Sequence, residues 1–387
     1  MHVRPSPTVL ICKNGLIFHS FIPSFIYSGA RSWIVRHYFL RFRAIFDRAI
    51  NMPDPTTQYF ELQGLVLEVT CSAEVAAAVV PILDYHGFQA SAGESEEGAG
   101  WTVDIKVRHE IDPVPVGAEP AGQHESGLAL LRHNGILYLY GENARADVSA
   151  SGHRLDVQLL REVVDDPKEL NPILYFIVTF ALLALLQRRS LYAIHGAAVC
   201  RGEEQGILFV GYSDTGKSTM TMALVRRGWD YLSDDSIFVH ESNETVEALP
   251  FRRDFGLDPD ADQYFPELAG TDSMQMTDIE KLRVKVDQLF PAQGRERCIP
   301  RVIIFPKITD IERSVLSEVG QSEALALLMR QCSFIDTDRD LAAAQMKTLQ
   351  GLVRQCRLYK LQAGRDLKDD PGSVENLLLP LLDGDPA

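Results

Sequence analysis

The chain has 387 residues, of which 46% are hydrophobic, which is ample for a packed core and long enough for two domains or one domain with a large extension. A formal charge of −15 and a pI near 5.1 argue against nucleic acid as the main partner, because neutralising phosphates takes clustered Lys and Arg. Six scattered cysteines, Cys12, Cys71, Cys200, Cys298, Cys332 and Cys356, form no C-x-x-C pair, so neither a zinc site nor a disulfide framework is suggested and a reducing cytoplasm fits best.

Residues 1–51 stand apart, with seven Lys or Arg against a single acidic residue, Asp47. A signal peptide can be drawn there, although Lys13, His19 and Pro23 interrupt its apolar run, and a basic peripheral arm is an alternative. The preferred reading is an extension outside the fold, with Met52 as the working start.

Residues 52–168 read as a small α+β lobe. Tyr59 to Thr70 alternates as strands, Ala73 to Tyr85 has helical spacing, and Trp101 to Val107 alternates cleanly. Ser91 to Gly100 and Asp112 to Gly127 are Gly-, Ser- or Pro-rich loops. Leu128 to Leu131 and Gly135 to Tyr140 resume as strands, joined through a hairpin turn at His133-Asn134-Gly135. Asn171-Pro172 then opens an apolar helix, Ile173 to Leu186. This stretch of fourteen residues falls short of the roughly 20 that span a bilayer. A buried helix packed on the sheet of the next domain is expected, and no membrane span.

That domain, 169–387, is organised around Gly211-Tyr212-Ser213-Asp214-Thr215-Gly216-Lys217-Ser218, which fits the phosphate-loop pattern G-x-x-x-x-G-K-[ST] after the apolar strand Ile207 to Val210. Glycines let the backbone fold closely round a phosphate chain with its N–H groups inward, and the positive end of the following helix adds to the attraction. The expected nucleotide-binding residues are Gly211, Ser213, Asp214, Thr215, Gly216, Lys217, Ser218 and Thr219, with Lys217 on the outer phosphates and Ser218 on Mg²⁺. After the helix, Trp229 to Leu232 forms a short returning strand that ends in Ser233-Asp234-Asp235. One carboxylate can serve the metal and the other can accept a proton from an attacking hydroxyl.

Gly-x-x-x-x-Gly-Lys-Ser, a helix ending Arg227-Gly228, then Leu232-Ser233-Asp234-Asp235, resembles the kinase domain of HPr kinase/phosphorylase and its relatives, as does His195-Gly196 at the entry. The likeness is specific over about forty residues, from His195 to Asp235. It implies a mixed-sheet P-loop kinase domain that holds ATP and Mg²⁺ on Lys217 and Ser218. Asp235 is then the base, Asp234 supports the metal or the base, and His195 lies near the transferred phosphoryl group. HPr kinases assemble as hexamers, so the resemblance admits a homo-oligomer. Two departures bear on the acceptor. Thr219 stands where HPr kinases carry Glu, and the segment L-E-[IV]-R-G-x-G has only Leu249 to Gly256, LPFRRDFG, as its nearest counterpart. Neither HPr as the substrate nor the reverse phosphorylase reaction therefore follows. Phosphoenolpyruvate carboxykinase shares this kind of phosphate site, but its other motifs are not found.

Past Asp235, strands are expected at Ser236 to His240, Val246 to Leu249, Arg283 to Val286 and Arg301 to Phe305. Asp254 to Asp278 reads as an irregular, acidic surface segment and a candidate flap. Arg252, Arg253, Arg283 and Lys285 are candidates for the extra cation that phosphoryl transfer uses. Helices Gly320 to Cys332, Leu341 to Cys356 and Val374 to Leu382 and a strand Arg357 to Leu361 close the chain.

The expected fold is thus α/β, a P-loop kinase domain behind an α+β lobe. The expected function is ATP-dependent transfer of a phosphoryl group to a hydroxyl, first of all a protein or peptide Ser by the resemblance. A small-molecule acceptor and a non-catalytic nucleotide-binding regulatory module are the alternatives.

Overall fold

The computed structural model describes residues 55–382 apart from 63, 92–99, 124–127, 253, 259–260, 269–281 and 333–337. All described residues fall in the compact unit Arg48–Ala387. The expected N-terminal extension lies outside them.

The first layer consists of β1 (Thr56–Leu62), β2 (Leu65–Cys71), α1 (Ala73–Tyr85), β3 (Gln89–Ser91), β4 (Trp101–Arg108), β5 (Glu119–Gln123), β6 (Ala129–His133), β7 (Ile136–Tyr140), β8 (Ala144–Val148), β9 (Arg154–Leu160) and α2 (Pro167–Gln187). The strands form one nine-stranded mixed sheet in the order β3-β1-β2-β4-β9-β8-β7-β6-β5. Asn134 and Gly135, with φ of 49° and 78°, supply the two left-handed residues that a two-residue hairpin turn between β6 and β7 requires. The region expected to be a loop contains β5, an edge strand, where Pro120 costs no central ladder bond. Strands β8 and β9 were not anticipated.

Helix α2 begins earlier than expected. Asp166 accepts from Lys168 N and caps the helix at Pro167, so Pro172 is carried inside it. Its packing also corrects the expectation. Leu174, Ile177, Val178, Ala181 and Leu185 share one core with α1 and with Val69, Val103, Ala146 and Leu155 of the nine-stranded sheet. The reason is a matter of available faces: that sheet has an apolar face which α1 alone does not cover, whereas both faces of the phosphate-loop sheet are already occupied. The window Leu170–Gln187 has a mean hydropathy of 1.9 and is long and apolar enough to cross a membrane, yet 67% of it is buried inside the protein.

The second layer follows as β10 (Tyr192–Ile194), β11 (Gly196–Arg201), β12 (Gln205–Val210), α3 (Lys217–Arg226), β13 (Asp230–Ser233), β14 (Ile237–Ser242), β15 (Thr245–Pro250), β16 (Asp254–Leu257), β17 (Leu282–Lys285), β18 (Pro300–Ile308), β19 (Val315–Glu318), α4 (Gln321–Met329), α5 (Arg339–Gln355), β20 (Arg357–Ala363) and α6 (Val374–Leu382). A mixed six-stranded sheet runs β13-β11-β12-β18-β20-β19, with β12, β18 and β20 parallel at its centre. Ile207 to Val210 and Val302 to Ile304 are fully buried, as continuous apolar runs in central parallel strands are. One face is covered by α3, α6 and the β16 region. The other is covered by the small β10-β14-β15 sheet with α4 and α5.

The segment from Asp254 departs from the surface flap expected of it. β16 pairs with β17, and Phe255, Leu257, Ala261, Phe265 and Leu268 are buried against α3. Their apolar spacing outweighs the acidic residues between them, of which Asp258 and Asp262 are exposed. The remainder of the expected flap, 269–278, lies outside the described residues.

Candidate active site

The loop leaves β12 at Gly211 and enters α3 at Lys217. A Cβ on Gly211 would lie 3.1 Å from Thr215 Oγ1, so the tight first turn leaves no ordinary room for a side chain. Thr215 Oγ1 donates to Tyr212 O at 2.9 Å and holds the loop in its curve. Asp214 and Gly216 are left-handed, with φ of 61° and 88°, and Gly216 is the residue that caps α3. Tyr212, Ser213 and Asp214 are exposed, whereas Thr215, Gly216, Ser218 and Thr219 are half-buried. Lys217 is buried, and its Nζ donates to Tyr212 O at 2.6 Å, so the ammonium is folded back onto its own loop. The first N–H groups of α3 have no carbonyl earlier in the helix to bond. Such a start suits an anion.

Asp234 and Asp235 directly follow β13 and diverge. Asp234 is fully buried: its Oδ1 accepts from Ser218 Oγ at 2.9 Å and its Oδ2 from Gly256 N at 2.9 Å. A carboxylate removed from water needs such partners, and here they tie the phosphate loop to β13 and β16. Ser218 and Asp234 form a hard oxygen donor set of the kind that Mg²⁺ takes, with its remaining positions filled by water and phosphate oxygens. Among the described residues no group of three or more His, Cys, Asp or Glu is placed to hold a metal by itself.

Asp235 has a left-handed backbone, φ 63°, in a tight turn closed by Ser236 N donating to Asp234 O at 2.7 Å. Ser233 Oγ steadies this turn, donating to Ser236 O at 2.6 Å and accepting from Arg252 N at 3.1 Å. The turn leaves the Asp235 side chain half-buried. Its Oδ1 is 3.2 Å from His195 Nε2, and its Oδ2 pairs with Arg252 Nη1. His195 is fixed from behind by its N–H, which donates to Gln331 O at 2.7 Å.

Arg252 is the candidate cation that lies at this carboxylate. Its Nη2 donates to Tyr175 OH at 3.2 Å, and its Cζ sits 4.6 Å from the centre of the Tyr85 ring. Burial opposes its charge, but Tyr85, Asp235, Tyr175 and Asp234 outweigh that and raise its pKa. Beside it, His86 is fully buried, stacked 4.7 Å from Phe251, with Nε2 2.8 Å from Thr179 Oγ1. Burial, reinforced by Arg252, holds the His86 pKa well below its ordinary value. The other basic candidates differ. Lys285 Nζ is committed to an ion pair with Asp84 of α1 at 2.8 Å. Arg253 and the Arg283 side chain lie outside the described residues.

Ser218, Asp234, Asp235 and His195 are thus brought into one connected set, and Arg252 joins it. Tyr85, Tyr175 and the Gly256 amide also belong to it, and sequence reasoning did not find them. Gly256 lies in the LPFRRDFG segment that was singled out for another reason. Tyr175 left one signal, a hydroxyl in a largely apolar helix, and Tyr85 left none.

No protein-family model matches the sequence, and no curated protein matches it significantly. Among solved structures, the chain is similar to the Hpr(Ser) kinase/phosphatase from Coxiella burnetii, with 13% identity and a TM-score of 0.25 over 49% of this chain and 97% of that one. The chain is a mixed α/β protein with several mixed sheets, and the geometry of the site, not that likeness, carries its functional reading.

Proposed function

We propose that this protein is an ATP-dependent kinase that transfers the γ-phosphoryl group to a hydroxyl. The observation that carries the reading is the Ser218 Oγ to Asp234 Oδ1 bond of 2.9 Å, since it couples a phosphate loop to the carboxylate pair. In this reading the loop amides from Gly211 to Thr219 and the Lys217 ammonium hold the phosphates. Ser218 and Asp234 hold Mg²⁺, which when bound would offset charge on the phosphate oxygens. Asp235 accepts the acceptor's hydroxyl proton as the new O–P bond forms and the bond to the β-phosphate oxygen breaks, releasing ADP. His195 orients Asp235, and Arg252 offsets charge on the group in transfer. A cytoplasmic setting, where ATP is supplied, goes with this reading.

The sequence resemblance favours a Ser of a protein or peptide as acceptor. One observation favours a small-molecule hydroxyl instead. The counterpart of the HPr-reading segment is turned inward: Phe251, Asp254, Phe255 and Gly256 are buried, and the Gly256 amide is engaged by Asp234.

Incubation with γ-labelled ATP, Mg²⁺ and a lysate of the source cells tests both. The wild type is expected to label one acceptor, protein or metabolite. Asp235→Asn is expected to lower labelling by about 10²- to 10⁴-fold while Mg·ADP affinity stays within about twofold. Binding without labelling of any acceptor would favour the non-catalytic module, and a wild type that binds no Mg·ATP would overturn the proposal.

A further inference from the structure

The wall of the site that faces Asp235 does not come from the phosphate-loop sheet. It is built by the helices of the nine-stranded layer: Tyr85 ends α1 and Tyr175 lies in the third turn of α2. Their rings are 6.0 Å apart, and Arg252 is held by both, by the face of the first and the hydroxyl of the second. The guanidinium has few other restraints. Its Nη1 is engaged by Asp235, and its Nε finds no acceptor among the described residues, so its orientation rests on that carboxylate and the two tyrosines.

The neighbouring contacts fix the layers at this spot. His86, which follows Tyr85, stacks at 4.7 Å on Phe251, which precedes Arg252. A Cβ on Gly87 would stand 2.9 Å from Phe251 O, so the two backbones approach as closely as glycine permits. Thr179, one helical turn beyond Tyr175 on the same face of α2, holds the His86 ring by its hydroxyl. The end of α1 and one stripe of α2 therefore clasp residues 251 and 252 together.

A guanidinium over an aromatic ring and bonded to a phenol keeps its charge and its direction while two of its nitrogens remain committed. An arginine that must meet charge developing on a phosphoryl group works through that fixed direction, because reorganisation during transfer would cost rate. We propose that Tyr85 and Tyr175 are positioning residues for the kinase site, holding Arg252 against the outermost phosphate, so that the nine-stranded layer is a working part of the transfer centre. The proposal rests on the reading of the phosphate loop as an ATP site.

Calorimetric titration of the full-length protein with Mg·ADP and with a non-hydrolysable Mg·ATP analogue tests it. The ratio of the two affinities measures what the outermost phosphate adds. Arg252→Gln is expected to cut that ratio by about tenfold or more, and Tyr175→Phe and Tyr85→Leu by about threefold to tenfold each, with Mg·ADP affinity within about twofold throughout. Tyr85→Phe keeps the ring and is expected to restore the ratio, an outcome that loss of packing alone would not separate from the others. In the Arg252→Gln background the tyrosine changes are expected to add nothing, since they act through Arg252. An unchanged ratio in Tyr175→Phe and Tyr85→Leu, full additivity with Arg252→Gln, or no effect of Arg252→Gln itself would overturn the proposal while Mg·ADP binding leaves the ATP-site reading standing. A wild type that binds no Mg·ADP would overturn both.

Discussion

The floor of the site and its wall are built on different principles. The floor, from Gly211 to Ser218 with Asp234 and Gly256, is held by short polar bonds within one layer: Thr215 to Tyr212, Lys217 to Tyr212, Ser218 to Asp234, Gly256 to Asp234. The wall, made of Asp235, Arg252, Tyr85, Tyr175 and His86, is held by one ion pair and, across two layers, by ring faces and the hydroxyl of Tyr175. In the proposed function the difference separates two tasks. Holding phosphates needs amides and charge that are present before the ligand arrives, whereas directing transfer needs one cation and one base aimed at a single atom. Damage to the floor should therefore abolish nucleotide binding, and damage to the wall should spare Mg·ADP binding while weakening the hold on the outermost phosphate and impairing transfer.

The strongest way to break that separation is Lys217→Ala. Losing a buried ammonium from the loop is expected to weaken Mg·ADP by about 100-fold or more in an equilibrium titration, with little change in wall behaviour. If ADP bound as before, the floor would not be the phosphate site.

Asp234→Ala comes next and should act on stability as well as on binding. It leaves Gly256 N–H and Ser218 Oγ without their buried acceptor, which is expected to cost about 2–4 kcal/mol in denaturant unfolding. A loss below about 0.5 kcal/mol would show that water replaces the carboxylate there and that the floor is not knit through it.

Gly87→Ala sharpens the comparison from the wall side. Its φ of 79° and the 2.9 Å approach to Phe251 O leave the new methyl no place without moving the layers apart. The expected loss is about 1–3 kcal/mol of stability, with transfer falling further than ADP affinity. Equal losses in both would mean that wall and floor are not separable.

The smallest effect expected is a pH dependence from His86. Its folded pKa lies below the ordinary value, so below pH about 6.5 the unfolded chain takes up a proton that the folded chain refuses. The stability this group contributes is complete above that pH and is lost as pH falls, by at most about 1.4 kcal/mol per unit, until the folded pKa is reached. Thermal unfolding between pH 7.5 and 5 should therefore show a shallower slope in His86→Gln than in the wild type. The same slope in both would mean that His86 is not held neutral.

The floor was legible in the sequence because its parts are close along the chain and their chemistry sets their spacing: two glycines and a lysine in eight residues, then one helix and one short strand to the carboxylates. Helix α1 was legible to the residue, since Val75, Val79 and Ile82 recur at helical spacing between Ser72 and the His86-Gly87 turn. The wall was not. Tyr85 and Arg252 meet because α1 and the β15 to β16 junction pack together, and nothing local in either segment encodes the other. The start of α2 was misplaced for a related reason. Pro172 is a stronger boundary signal than Asp166 when read alone, but the cap at Asp166 wins when Leu170 has a core to enter. The inward turn of Asp254 to Leu268 was hidden by its acidic residues, which mask an apolar spacing that only the neighbouring helix α3 makes useful.

The left-handed turn at Asp235 has a consequence for how such a chain can change by mutation. At φ 63° most side chains are disfavoured, while Asn, Asp and Gly are tolerated. With Asp235 as the proposed proton acceptor, mutational drift that discards it without disturbing the turn is therefore channelled toward Ser-Asp-Asn or Ser-Asp-Gly. A cousin carrying either tripeptide, with its lysine and serine intact, would be a retired catalyst that still grips nucleotide, and a binding assay alone would not tell it from a working one.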